Sequence, residues 1–224
     1  MATPRPSKNA PVNTPGSIKR QAKSHELNER IKTCAARMFT EKGFEAASTR
    51  ELAAELGIQK ASLYYHVPAK TDLLFAICKD AHEHVVGAVT EQLARTKDGA
   101  ERIRSLIKAH VGAILGEQDK HKVLFFEQRS LDPDQRGQLR RMQRIYSLQI
   151  RGEIEAAQAG GFLRADVPAA QLTFALANLM NWTLLWYKDG GAIDASAVAE
   201  LYCKVFLDGA RTKPREAGRR RLKT

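Results

Sequence analysis

An all-α fold is predicted by three observations. Apolar residues recur at steps of three and four along most of the 224-residue chain, the period of a helix with one buried face. No stretch alternates strictly between apolar and polar over the length of a strand. The breaks between periodic segments fall at Gly, Pro and Asp residues, which start and end helices. The expected architecture is an N-terminal three-helix domain containing a helix-turn-helix, followed by a larger helical domain.

The first helix is expected near 26–42, where Leu27, Ile31, Cys34, Ala35, Met38 and Phe39 form one stripe and Gly43 follows Lys42 as a stop signal. Ser48-Thr49-Arg50-Glu51 opens the second with a capping hydroxyl and an acid three residues on. Leu52, Ala53 and Leu56 give that helix its apolar face, Gly57 permits the left-handed turn after it, and Ile58 returns to the core. A third short helix runs from Gln59 to His66 before Pro68 stops it, with Ala61, Leu63 and Val67 as its apolar residues. Further helices are expected near 69–95, 100–118, 120–128, 133–159, 168–187 and 195–210, divided by Asp98-Gly99, Asp132-Pro133, Gly160-Gly161, Pro168 and Gly190-Gly191.

The net charge of +11 acquires its meaning from its location. Residues 1–24 carry five bases and no acid, residues 211–224 carry seven bases against Glu216, and residues 25–210 are balanced. Both tails are rich in Pro, Gly, Ser, Thr and Lys and are expected to be disordered, serving either solubility or loose phosphate contact. Cys34, Cys78 and Cys203 form no CxxC pair, which argues against a disulfide framework or zinc finger and for a reducing cytosol. No apolar run approaches the roughly 20 residues of a membrane span, and the start MATPRPSKNAPVNTPGS lacks the apolar core of a signal peptide. A soluble, cytoplasmic protein without a membrane partner is expected.

Two short helices joined by a Gly turn, the second exposing Lys60, Ser62, Tyr64, Tyr65 and His66, have what a recognition helix needs: side chains that reach base edges and hydroxyls that reach phosphates. A packed aromatic corner on an ordinary helical hairpin is the plainer alternative. Residues 26–72 closely resemble the DNA-binding domain of the TetR family, through Ala36-Arg37-Met38-Phe39, Lys42-Gly43-Phe44, Ser48-Thr49-Arg50-Glu51-Leu52-Ala53, Leu56-Gly57-Ile58 and Ser62-Leu63-Tyr64-Tyr65-His66-Val67. Val67 departs from the family's frequent Phe, and Pro68-Ala69 from a more polar pair. The resemblance implies a helix-turn-helix over 48–67, phosphate contacts from Thr49, Tyr64 and Lys70, and base contacts from Arg50, Lys60, Ala61, Ser62, Tyr65 and His66. The division it implies is a basic tail over 1–24, a DNA-binding domain over 25–70, a helical ligand-binding and dimerisation domain over 71–210, and a basic tail over 211–224.

The C-terminal resemblance is looser. The Gly160-Gly161-Phe162-Leu163-Arg164 turn before Asp166-Val167-Pro168 is similar to a subgroup related to acyl-CoA or lipid-catabolism regulators. What this implies is a homodimer on palindromic double-stranded DNA, repressing until a small-molecule effector releases it. The effector would be an acyl-CoA thioester or another hydrophobic or aromatic acid; a drug-like compound controlling an efflux pump is the alternative. Recognition helices of such a dimer lie about 34–36 Å apart or further, and pairing through the last two long helices would involve Leu179, Trp186, Leu201 and Val205. The segment 174–187 is apolar on nearly all sides, so both its own core and a dimer seam claim it. Trp182 and Trp186 stand four apart, with Asn178 one turn back, and either line a pocket or pack the seam. Phe125, Phe126, Met142 and Tyr146 are candidate pocket walls. Arg129 holds a phosphate or carboxylate if buried there and is a solvated helix-end residue otherwise.

An enzyme is disfavoured: there is no GxSxG, Walker A, GxGxxG or HExxH pattern, and neither a catalytic residue nor a cofactor is expected. The six histidines form no metal-ligand set, and His82 and His84, two apart, are expected at the surface. A purely structural bundle is the second rival, and it leaves the Lys60–His66 face without a purpose.

Overall fold

The computed structural model describes residues 15–97 and 99–211. Helices account for most of them: α1 (Pro15–Lys42), α2 (Thr49–Glu55), α3 (Lys60–His66), α4 (Lys70–Arg95), α5 (Gly99–Gly116), α6 (Gln118–Phe126), α7 (Pro133–Ala159), α8 (Ala169–Asn181), α9 (Thr183–Trp186) and α10 (Ala195–Ala210). A 3₁₀ turn, Gln128–Ser130, links α6 to α7. No helix among the described residues is long and apolar enough to cross a membrane.

Two expectations at the ends are corrected. Residues 15–24, assigned to a disordered tail, begin α1: Pro15 at a first helical position loses no bond, and the Lys, Arg, Gln and Ala residues that follow favour a helix. Residues 1–14 and 212–224, the remainder of the expected tails, lie outside the described residues, as does Asp98. Arg211, also assigned to a tail, belongs to the fold. It bridges to Leu163, its guanidinium lies 5.4 Å from the Phe162 ring centroid, and the Arg164 N–H donates to the Ala210 carbonyl at 2.8 Å.

Burial divides the chain into two apolar cores whose border differs from the expected one at 70/71. The first gathers Ile31 and Phe39 of α1, Leu52 of α2, Leu63 of α3 and Leu74 and Ile77 of α4, and it is completed by Val123 of α6, Leu131 at the end of the 3₁₀ turn and Leu139 of α7. The second is formed by Val85 and Val89 from the far half of α4, Ile107 and Ile114 of α5, Ile150 and Ile154 of α7, Leu176 of α8 and Phe206 of α10. Thus α4 runs through both, and α6 plugs a core assembled mostly from residues 50 to 90 positions before it.

The expected single helix over 168–187 is broken at Trp182. There the Leu185 N–H bonds to the Trp182 carbonyl, a tighter three-residue step. The Thr183 hydroxyl, fully buried, shares a 2.7 Å bond with the Tyr202 hydroxyl of α10, which fixes the joint. The far ends of α4, α5 and α7 are clamped by Arg102. Its guanidinium donates to both Glu153 oxygens at 2.6 and 2.7 Å and to the Leu93 and Thr96 carbonyls at 2.8 and 2.6 Å. A half-buried cation with four such bonds is expected to matter: Arg102→Ala should lower unfolding free energy by about 2 kcal/mol in urea titrations. A loss under about 0.5 kcal/mol would make it an ordinary surface bridge.

Candidate DNA interface and effector cavity

The helix-turn-helix is built by local rules. The Ser48 hydroxyl accepts from the Glu51 N–H at 3.1 Å while the Ser48 N–H donates to the Glu51 carboxylate at 3.4 Å. This bond and nearby Lys42 hold the Glu51 carboxyl below its ordinary range. At the other end of α2, Gly57 takes φ +67, the Ile58 N–H reaches the Ala53 carbonyl at 3.0 Å and the Gly57 N–H the Ala54 carbonyl at 3.1 Å, a paired closure that turns the chain directly into α3. Leu63 alone of α3 is buried. Its opposite face is open, with Tyr65 at 84 % exposure and Lys60, Ala61 and Tyr64 exposed beside it.

Each expected DNA-contacting residue can now be placed. Arg50 is exposed at the start of α2. Thr49 and Tyr64 share a 3.2 Å hydroxyl bond that ties α2 to α3, Lys60 lies 5.6 Å from the Tyr64 ring centroid, and the His66 ring meets Tyr65 edge-on. Ser62 and His66 are half-buried at the edge of this face. Lys70 is more engaged than expected: its ammonium bonds the Glu45 carbonyl at 3.2 Å and sits 4.3 Å from the Phe44 ring centroid, so it also braces the turn between α1 and α2.

A cavity of about 240 Å³ opens among α4, α5, α6, α7 and α8. Val85, Ile114, Leu124, Ile150 and Leu184 form its apolar walls; His82, His110, His121, Tyr146 and Asn181 supply most of its polar groups. His110 Nε2 meets the Asn181 Oδ1 at 3.2 Å and its Nδ1 the Tyr146 hydroxyl at 2.8 Å. Since Oδ1 can only accept, Nε2 carries the proton and the Tyr146 hydroxyl donates to Nδ1. No Asp, Glu, Lys or Arg lines this space.

Of the expected pocket residues, Tyr146 and Phe125 line the cavity. The others do not. Trp182, 55 % exposed at the joint between α8 and α9, packs edge-on against Phe125 with ring centroids 6.4 Å apart but does not line the cavity; Asn178 is exposed on α8, where its amide satisfies itself on the Phe174 carbonyl at 2.8 Å, and Ala177, Asn181 and Leu184 face inward instead. Phe126 borders a separate groove beside Phe39 and Leu185, Arg129 is exposed in the 3₁₀ turn, and Met142 contributes its carbonyl to His82 while Gln143 reaches the cavity. His82, expected at the surface, is buried, because it shares the face of α4 that carries Cys78 and Val85. His110 and His121 were not singled out by the sequence; the available signal was a histidine inside the apolar stripe Ile103, Ile107, His110, Ile114. Among the described residues no group of three or more His, Cys, Asp or Glu could hold a metal ion.

Residues 33–77 match the bacterial regulatory proteins of the tetR family, and residues 96–210 match the tetracyclin repressor-like C-terminal domain, about half of the chain. The chain belongs to the TetR family. Its members are DNA-binding transcriptional regulators rather than enzymes. Among the relatives, the transcriptional repressor KstR2 of Rhodococcus jostii is 26 % identical over 177 residues, covering 78 % of this chain and 86 % of that protein. The structure of the regulator PfmR from Thermus thermophilus is 29 % identical with a TM-score of 0.75, over 80 % of this chain and 97 % of that one. AibR, solved with isovaleryl coenzyme A and operator DNA, shares the fold at a TM-score of 0.73 and 22 % identity, over 80 % and 96 % of the two chains.

Within this TetR-family frame the cavity is electrically neutral at pH 7. Burial above all disfavours the charged imidazoles, taking His121 down to about 3 and His110 to about 4. Around His121, the charges of His110, His84, Lys120 and His82 act the same way. Unfolding returns each ring to about 6.5, so below that pH the unfolded chain binds more protons than the folded one. This contribution is complete above about 6.5 and is lost as pH falls toward 4. Thermal unfolding between pH 7.5 and 4.5 should show the decline, and His121→Gln should flatten it. A variant with an unchanged slope would contradict the neutral, buried ring.

Proposed function

We propose that the chain is a homodimeric repressor that holds a palindromic operator through paired α3 helices and lets go when a hydrophobic acyl thioester, or a related hydrophobic acid, fills the cavity. The observation that carries the DNA-binding part is the open face of α3, stiffened from behind by the Thr49–Tyr64 bond and the Lys70 brace. Arg50, Lys60, Ala61, Ser62, Tyr65 and His66 are the base-reading set. Thr49, Tyr64 and Lys70 set register on the phosphates, which carry no sequence information.

Dimerisation is supported by apolar residues left open on α8, α9 and α10: Phe174 at 72 % exposure, with Trp182, Trp186, Leu201 and Val205. Large apolar side chains left open on neighbouring elements ask for cover, and a second copy related by a twofold axis supplies the same surface in return. Leu179, expected at this seam, packs half-buried against its own core and contributes less. Repression follows the KstR2 relatives, which match 78 % of this chain. The acyl thioester follows from the cavity's apolar walls, from the isovaleryl coenzyme A bound by AibR, and from Arg140 and Arg144. These arginines are exposed on the side of α7 that carries Ser147 at the cavity's edge and make no ion pair among the described residues, so they are free for a phosphorylated carrier. Coupling of about 1–3 kcal/mol between the two sites is enough for release.

Fluorescence anisotropy with a duplex from the gene's own upstream region tests the reading. Arg50→Ala should lose about 1–3 kcal/mol of preference at one base pair, whereas Lys70→Ala should weaken cognate and random DNA alike and lower the salt slope by about one. Equal losses on both duplexes for both variants would sink the assignment of roles. Leu201→Glu with Val205→Glu should give a monomer in sedimentation and abolish tight operator binding; a persistent dimer would place the seam elsewhere.

A further inference from the structure

Resting on the effector reading above, we propose that His121 is the specificity-determining polar contact of the cavity, and that the buried part of the effector presents to it one uncharged oxygen, a thioester carbonyl, on a short apolar skeleton.

Of the three buried histidines that line the cavity, two have named partners. Both His110 nitrogens are used, by Asn181 and Tyr146. His82 donates to the Met142 carbonyl. His121 Nε2 is different: it is buried, its residue is only 3 % exposed, and it has no hydrogen-bond partner among the described residues. Leaving such an atom unpaired costs about 1–3 kcal/mol, a cost that a ligand oxygen brought against it would remove.

The charge state narrows what can answer it. With no cation in the lining and with burial holding the ring neutral, a carboxylate would enter without a balancing charge, which is far costlier than a neutral carbonyl. Lys120, next in sequence, does not supply that charge, since its ammonium is taken by Glu117 at 2.9 Å and Asp80 at 3.4 Å. Size narrows it further. About 240 Å³ is below the roughly 300–1,000 Å³ of sites that take a whole drug-sized molecule. A short acyl group or a single ring fits, and the rest of the molecule leaves past Ser147 and Gln143. A thioester carbonyl only accepts, so Nε2 carries the ring proton in the complex.

The test changes the oxygen and the histidine independently. Hexanoyl-CoA and its thioether counterpart S-hexyl-CoA, which has CH₂ in place of the carbonyl, are titrated calorimetrically against the full-length wild type, His121→Leu and His121→Gln, with the folding of each variant read from its melting temperature. The wild type should prefer the thioester by about tenfold. His121→Leu should bind both ligands alike, and His121→Gln, which keeps an N–H donor, should retain most of the preference. Equal binding of both ligands by the wild type, or a preference that survives in His121→Leu, overturns the assignment to His121 while leaving the acyl thioester reading in place. Failure of the wild type to bind any acyl-CoA of four to eight carbons overturns both, and the operator titration then stands by itself.

Discussion

Helix α6 is the constraint on which the rest depends. Nine residues long, it is too short to persist alone in water, so its place is dictated by what packs around it. Val123 belongs to the core of the DNA-binding half, while Leu124, Phe125 and His121 form part of the cavity wall. Lys120, buried, is tolerated because Glu117, Asp80 and Glu29 surround its ammonium; the same Asp80 and Glu29 take Lys32 of α1 at 2.6 Å each. Three helices, α1, α4 and α6, therefore share one cluster of charges. A change in the cavity that shifts α6 must disturb either that cluster or the packing of Val123, and both lead to the helices that carry α2 and α3.

This arrangement explains why the DNA-binding half is readable in the sequence and the C-terminal half only in outline. The turn from α2 to α3 is written within a dozen residues: a hydroxyl and an acid three apart, a glycine with positive φ and an isoleucine after it. Such rules act between neighbours and need no knowledge of distant packing. The expected boundary at 70/71 rests on local signals alone, whereas Val123, Leu131 and Leu139 complete the first core from far along the chain. Nothing local announces that.

The cavity shows the same limit more sharply. Around 174–187 the residues are apolar in every direction, so periodicity gives no phase, and the aromatic Trp182 and the amide of Asn178 were the natural choices for a pocket. The structure turns both outward and points Asn181, three residues on, toward His110. Histidines in apolar stripes were weighed only as metal ligands or surface residues; their use as neutral hydrogen-bonding groups depends on α4, α5 and α6 meeting, which no single stretch encodes.

The cysteines add a chemical consequence. Burial holds the thiols of Cys78 and Cys203 above their ordinary range, Cys78 at about 12, and partial burial also raises that of Cys34. Since the thiolate is the reacting form, the folded chain offers alkylating reagents and oxidants little to attack. Opening of either core releases a thiol that titrates normally. Cys78 reports on the first core and Cys203 on the second, so the order in which the two are alkylated is a built-in clock for which half of the regulator breathes first.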